Sequence, residues 1–131
     1  MAGETDLTLM LRTLEVDRRP GSFVYCVDAR EEAVCAAAAT VREAEGLTLV
    51  LPRERAQALG IAFEREGAWL TLRVHSALEA VGLTAAVARS LADVGLPCNV
   101  LAGAFHDHLL VPEDRSADAI AALARLRSVA S

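Results

Sequence analysis

Two histidines and an aspartate stand together near the end of the chain, and of all its residues they most resemble a metal site. His106 and His108 are two positions apart, so on a strand they would share one face, with Asp107 between them. Two ligands at this spacing are too few for a closed zinc site, and nothing in the sequence places His75 beside them as a third. The sequence therefore predicts no bound metal and no other cofactor.

The nucleophilic side chains are poorly placed for catalysis. Cys26 and Cys98 fall within apolar segments, where a thiol is usually part of an inert core. Ser76 follows His75 directly, and adjacent strand residues point to opposite faces, which separates a nucleophile from its base. The chain has no lysine and no glycine-rich phosphate loop. We therefore expect a protein that is not an enzyme. A small acylphosphatase-like hydrolase using Asn99 is the open alternative, although no matching phosphate loop accompanies that residue.

Charge, cysteine count and hydropathy limit the class of protein. The formal net charge of −5 over 131 residues provides no basic stripe for nucleic acid or for an anionic membrane surface. Three cysteines without close spacing indicate reduced thiols rather than a disulfide framework. No apolar run approaches the roughly 20 residues of a membrane helix, and the acidic N-terminal segment lacks a signal-peptide pattern. The sequence predicts a soluble cytoplasmic protein that binds neither nucleic acid nor membrane.

Apolar periodicity predicts the elements that would position these residues. Strands are predicted at residues 7–14, 23–27, 47–51, 69–75, 98–103 and 109–112, and turns at 18–21 and 66–67. Helices are predicted at residues 52–59 and 83–94 and from Ser116 onward, with Ser116 as the N-cap. Residues 29–45 are ambiguous between helix and strand. From residue 69 the order is β-α-β-β-α, for which the ferredoxin-like split β-α-β is the first candidate fold.

The strand–proline–helix string at residues 49–55 is repeated at residues 109–115. In both copies an apolar strand runs into a proline, then into charged residues and an alanine-rich segment, at a constant offset of 60 residues. Such a duplication predicts two similar modules, residues 1–66 and 67–131, with a cleft where they meet. The alternative is that an ordinary strand–proline–helix junction occurs twice without any duplication.

Five strings of the sequence resemble small bacterial proteins made of two ACT domains. They are residues 23–26, 45–48, 74–84, 98–100 and 106–112. Such proteins are similar to the ACT regulatory region of aspartate kinases and to the arginine-sensing ACT proteins of animal cells. The resemblance implies an α+β fold of two ferredoxin-like modules, with antiparallel sheets side by side and helices on one face. It also implies amino-acid binding at an interface. Because the chain leaves no room for a catalytic domain, its output would reach a partner protein.

An amino-acid ligand needs donors for its carboxylate and acceptors for its ammonium. The loop that ends at Gly82 would offer free N–H groups at a helix N-terminus, and glycine would let a ligand approach the backbone. The resemblance supports ligand contact at Asn99 and Asp107, which could otherwise stabilise turns. By the repeat offset, Glu43 and Glu45 could close the cleft, or they could be solvated surface carboxylates. The predicted ligand-binding residues are His75, Ser76, Leu78, Val81, Gly82, Leu83, Asn99, Val100, His106, Asp107 and Glu45.

The sequence therefore predicts a regulatory module that binds a small molecule, either between its two modules or between the subunits of a homodimer. The alternative is a ligand-free interaction or dimerisation module, because an exposed edge strand can pair across subunits without any ligand.

Overall fold

The computed structural model describes residues 2–74 and 82–130, and within them the side chains of residues 7–74 and 82–129. The strands are β1 (Glu15–Arg18), β2 (Phe23–Val27), β3 (Ala39–Glu43), β4 (Gly46–Pro52), β5 (Glu64–Arg73), β6 (Asn99–Ala102) and β7 (Asp107–Pro112). The helices are α1 (Ala2–Arg12), α2 (Glu31–Ala36), α3 (Arg53–Ala58), α4 (Leu83–Asp93) and α5 (Ser116–Ala130), with a 3₁₀ turn at Glu113–Arg115 before α5. No helix in this described part is both long enough and apolar enough to cross a membrane.

The chain divides into two compact units. The central unit is Pro20–Ala68, and the terminal unit consists of the described parts of Met1–Arg19 and Trp69–Ser131. Strand β5 contributes its first five residues to the central unit and its last five to the terminal unit. Residues that precede β2 therefore pack with the second half of the chain, while the module boundary between residues 66 and 67 stays a prediction.

The central unit has the element order β-α-β-β-α-β. Its strands lie in the order β3, β4, β2, β5, and each neighbouring pair is antiparallel. Strand β4 therefore lies between β2 and β3, which α2 connects, and this is the split β-α-β of a ferredoxin-like fold. The ambiguity at residues 29–45 is resolved as α2 followed by β3.

The core of the central unit is built from small and branched aliphatic residues. Val24 and Cys26 on β2 and Leu49 on β4 are buried together with one alanine from each helix, Ala33 and Ala56. An alanine at the contact allows a helix to pack closely on the sheet, because no longer side chain holds the backbones apart. The alanine-rich composition of the chain thus has a direct structural use here.

The terminal unit repeats the same plan with one strand taken from the other end of the sequence. From β5 onward the order is strand, α4, β6, β7 and α5, as predicted, and the strands lie in the order β6, β7, β5. The fourth strand is β1, which pairs antiparallel with β5, Glu15 opposite Arg73 and Arg18 opposite Leu70. The sequence pattern missed β1, because only one of its four residues is even half-buried and no apolar alternation marks it.

The strand predicted at residues 7–14 is wrong, because residues 7–12 belong to helix α1 and the last two residues follow its end. Leu7, Met10, Leu11 and Leu14 are spaced i, i+3, i+4 and i+7, which is one face of a helix. Met10 and Leu14 are buried, whereas Leu9, which an alternating strand would place beside Leu7, is exposed. Helix α1 packs against α5 and α4, so tertiary burial selects the helical period over the alternating one.

Two further local predictions are wrong. Glu66 and Gly67 were expected in a turn, but they lie within β5 and pair with Val24 and Phe23 of β2. Ser116 was expected to be an N-cap, but its backbone is helical and follows the 3₁₀ turn without a break. Its buried hydroxyl instead accepts a hydrogen bond of 2.7 Å from the Arg18 guanidinium, which links β1 to the start of α5.

Candidate functional site

The start of α4 is the part of the predicted ligand loop that the structure describes. Gly82 has a φ of 103°, a left-handed conformation that favours glycine, and its carbonyl accepts the first helical hydrogen bond, from the Ala86 N–H. Glycine has no side chain to cap the first-turn N–H groups, and no side chain of the described residues caps them. Leu83 is buried, so its side chain anchors the helix in the core. The other predicted loop residues, His75, Ser76, Leu78 and Val81, lie outside the described residues.

Asn99 and Val100 begin strand β6, which forms the end of the strand order in the terminal unit. Asn99 is exposed and lies opposite Leu110, and Val100 is 38% exposed and lies opposite Leu109. One backbone edge of β6 pairs with β7, and the other has no strand beside it among the described residues. Asn99 and Val100 thus lie on an open sheet edge.

His106 and Asp107 lie at the opposite end of the same hairpin. The Gly103 N–H donates to the His106 carbonyl at 2.9 Å, and Asp107 pairs with Ala102. Asp107 is therefore three register positions from Asn99, which corresponds to about 10 Å along the strand. Within one subunit the register brings His106 and Asp107 together and keeps Asn99 apart from them.

Glu45 belongs to the central unit, in the turn between β3 and β4, where it is exposed. The neighbouring Glu43 accepts a hydrogen bond from the Thr48 hydroxyl across this turn. Glu43 therefore has a local structural role, while the carboxylate of Glu45 is solvated.

A cluster of Trp69, Thr71 and His108 in the terminal unit was not identified from the sequence. The Trp69 indole donates to the Thr71 hydroxyl at 3.2 Å, and the same oxygen lies 3.0 Å from His108 Nδ1. The Trp69 and His108 rings are 5.1 Å apart. The sequence signal was the spacing of Trp69 and Thr71 on one face of a strand, but it did not show which β7 residue would lie opposite.

The electrostatic surroundings of His108 favour its neutral form. Burial is the main cause that lowers the pKa of His108, and the nearby His106 lowers it further, while Asp107 acts in the opposite direction. The His106 and His108 rings are 6.4 Å apart. Across residues 2–74 and 82–130, no three His, Cys, Asp or Glu side chains are grouped closely enough to hold a metal ion.

The cysteines differ in exposure, and the surroundings of two of them disfavour the reactive thiolate. Cys26 is buried and Cys98 half-buried, and burial raises the pKa of both thiols, which keeps them protonated. Asp28 raises the pKa of Cys26 further. Cys35, on α2, is exposed.

A cavity of about 470 Å³ in the central unit was also not predicted. It opens where β2 ends beside the start of β5, and its lining includes Tyr25, Val27, Thr48, Phe63, Glu64 and Arg65. Arg65 has a φ of 56°. Among the described residues it is the non-glycine residue with a left-handed backbone conformation. Burial raises the pKa of the Tyr25 phenol, and the positive charge of Arg65 opposes this effect.

The two ferredoxin-like units, together with the family models that match them, define a tandem ACT-domain protein. Residues 2–67 match one ACT-domain family model and residues 64–125 match a second, so the chain belongs to the ACT-domain family. The family resemblance inferred from the sequence is thereby confirmed, as is the mixed α and β fold of two ferredoxin-like domains.

Solved structures of similar proteins span nearly the whole chain. A Vibrio cholerae protein of unknown function, a possible transport protein, is 40% identical, with a TM-score of 0.85 over 95% of this chain and 98% of its own. An Agrobacterium tumefaciens protein is 20% identical, with a TM-score of 0.67 over 87% of this chain and 89% of its own. The aspartate kinase regulatory subunit of Thermus flavus is 9% identical, with a TM-score of 0.60 over 86% and 95%, and shares the fold alone. Among curated proteins, none matches significantly.

Proposed function

We propose that the protein is a non-catalytic regulatory module that binds an amino acid and passes this signal to a partner protein in the cytoplasm. The observation that carries the proposal is the pair of ACT domains, which together span residues 2–125. The aspartate kinase regulatory subunit of similar fold gives a precedent for such modules acting on an enzyme in a separate chain.

The terminal unit supplies the groups that we assign to the ligand. The uncapped N-terminus of α4 at Gly82 offers N–H donors to the ligand carboxylate, and a helix N-terminus favours an anion there. The carboxylate of Asp107, or the side-chain carbonyl of Asn99 about 10 Å away along the hairpin, can accept hydrogen bonds from the ligand ammonium. Val100 and His106 would border the ligand side chain, and Glu45 of the central unit remains a predicted contact.

The open edge of β6 favours a site shared between two subunits. Asn99 and Val100 lie on the open edge of β6, so a second copy paired there would contact both residues. Strand β6, with the sequence Asn-Val-Leu-Ala, carries no charge. Natural proteins usually protect exposed edges with charged residues, so the uncharged edge supports a homodimer.

A thermal-shift screen of the twenty amino acids tests this proposal. A ligand present at 100 times its Kd stabilises the folded protein by about 2.7 kcal/mol, which raises Tm by on the order of 10 °C in a chain of this size. We expect a shift with one amino acid or a few chemically similar ones. We also expect Asn99→Ala and Asp107→Ala to reduce it by more than half.

Asp93→Asn is the matched control. Asp93 is an exposed carboxylate at the end of α4, away from the residues assigned to the ligand, so its variant should keep the full shift. If no amino acid at millimolar concentration changes Tm, or if Asp107→Ala and Asp93→Asn give equal shifts, the amino-acid site is wrong.

One observation favours the second candidate function, a ligand-free interaction module. Phe105, at the tip of the β6–β7 hairpin, is 91% exposed, beside the open edge strand. A large exposed aromatic group next to an unpaired strand offers apolar area to a second protein. A dimer that ignores every amino acid and is weakened by Phe105→Ala would support this function instead.

A further inference from the structure

We propose that the central unit has a binding site of its own, for a small carboxylate with an apolar body, in the cavity bordered by Tyr25, Phe63 and Arg65. This site shares no residue with the amino-acid site proposed above. All of its lining residues lie within Pro20–Ala68, so its geometry is complete in one compact unit.

The position of Arg65 results from a bulge in the pairing of β5 with β2. Val24 lies opposite Glu66 and Tyr25 lies opposite Glu64, so Arg65 is an extra residue with no partner in the register. A bulge redirects the side chain of its extra residue, and the left-handed conformation at this position normally favours glycine. Arg65 adopts it with a φ of 56°. A left-handed arginine costs stability, and such costs are often tolerated where a side chain serves function.

The guanidinium of Arg65 is left available by its surroundings. Two other arginines of the central unit are paired, Arg53 with Glu66 at 2.8 Å and Arg30 with Asp28 at 3.1 Å. Among the described residues, by contrast, no carboxylate lies within 4 Å of the Arg65 guanidinium. An arginine with free donors beside a cavity is well suited to bind a carboxylate in a bidentate manner.

Tyr25 supplies a second donor to the same anion. Burial raises the pKa of its phenol despite the neighbouring positive charge of Arg65, so the O–H group is retained at neutral pH. The phenol and the guanidinium together would hold one carboxylate. The acidic side chain of Glu64 at the same mouth would repel a dianion such as phosphate, which favours a group with a single negative charge.

Apolar side chains define the remainder of the ligand. Phe63 packs partly against the core of the central unit, and the Arg53 guanidinium lies 6.0 Å from its ring centroid, which holds the ring in place. Val27 is 65% exposed at the end of β2, so its methyl groups offer an uncovered apolar contact. A cavity of about 470 Å³ admits a short branched chain between these two residues.

Backbone amide NMR of the full chain tests the proposal, with isovalerate as the probe. We expect saturable shifts at residues 25–27, 48 and 62–65. The neutral isostere isovaleramide and inorganic phosphate should each bind at least tenfold more weakly. If isovaleramide binds as tightly as isovalerate, the negative charge is not recognised. If phosphate binds as tightly as isovalerate, the apolar body is not recognised. Either result, or the absence of saturable shifts, overturns the proposal.

Two substitutions of Arg65 separate binding from folding. Arg65→Gln should weaken isovalerate binding at least tenfold, whereas Arg42→Gln, the same charge change at an exposed position on β3, should leave it unchanged. Arg65→Gly removes the same cation but relieves the left-handed backbone, so we expect a higher Tm together with lost binding. If Arg65→Gln or Arg65→Gly binds isovalerate as the parent does, the proposal fails. Asn99→Ala and Asp107→Ala should bind isovalerate normally, which separates this result from the fate of the amino-acid site.

Discussion

His108 lies at the end of a hydrogen-bond chain that begins at the Trp69 indole and passes through the Thr71 hydroxyl. Protonating His108 would place a charge in this half-buried position beside His106, and for that reason its pKa lies below the usual value. In the unfolded chain the same imidazole regains an ordinary pKa of about 6.5. The folded state therefore binds fewer protons than the unfolded state over the interval between these two values.

This difference fixes the sign of a pH effect on stability. The contribution of His108 is complete above the unfolded pKa of about 6.5. It is lost as pH falls below that value towards the lowered folded pKa. We expect the free energy of unfolding to fall between pH 7.5 and pH 5.5. His108→Asn, which keeps a polar group near Nδ1 but does not titrate, should lose less stability over this interval. Urea unfolding at each pH measures both.

His106→Gln is the control for this prediction. It removes the other imidazole of the pair but leaves the burial of His108, which is the main cause of its lowered pKa. Most of the pH dependence should therefore remain in this variant. If His108→Asn loses as much stability on acidification as the parent protein, His108 does not carry the effect.

At the scale of elements, helix α1 allows a direct test of which residues face the core. The alternating pattern of residues 7–14 would put Leu9 inside and Met10 outside, and the helix does the reverse, with Met10 2% exposed and Leu9 49% exposed. We expect Met10→Ala to cost about 2–5 kcal/mol through the lost burial and the resulting cavity. Leu9→Ala should stay within about 0.5 kcal/mol of the parent. Urea unfolding of the two variants ranks them, and equal costs would contradict the packing of α1 on α4 and α5.

The elements that the sequence predicted correctly are those with a strong local signal. Helix α4 and strands β2 and β4 combine clear periodicity or β-rich apolar runs with glycine or proline at their ends, so their bounds fall within a few residues of the predicted ones. Helix α1 was mistaken for a strand because Leu-Thr-Leu-Met-Leu fits both periods, and only packing against α5 decides between them. Strand β1 has no apolar pattern at all, since its place is set by pairing with β5, more than 50 residues away.

The candidate sites also differ in how far the sequence predicts them, because some depend on local sequence and others on strand pairing. The N-terminus of α4 at Gly82 followed from local sequence, because a glycine before an amphipathic run marks a helix start. The distance between Asn99 and Asp107 depends on the register of β6 with β7, which no spacing in the sequence reveals. The cavity beside Arg65 depends on a bulge, and a bulge that holds an arginine lacks the glycine that would have signalled it.

At the scale of the whole molecule, the open sheet edges determine how copies of the chain can associate. Strand β3 ends the strand order of the central unit and carries Arg42 and Glu43, whose charges oppose pairing with another edge. Strand β6 lies at one end of the strand order of the terminal unit and carries no charged residue. We therefore expect a homodimer through β6 rather than through β3. Each of these two edges contains one exposed valine, and substituting it tests which edge forms the interface.

The test places the same charge on each edge in turn. Val100 is 38% exposed on β6 and Val41 is 45% exposed on β3, so a lysine at either site should cost the monomer little stability. In a strand-paired dimer, however, Val100→Lys would bring two like charges together across the interface, which should weaken dimerisation at least tenfold. Val41→Lys should sediment as the parent does in analytical ultracentrifugation. A dimer that survives Val100→Lys but dissociates with Val41→Lys would place the interface on the central unit, and the amino-acid site could then no longer be shared through β6.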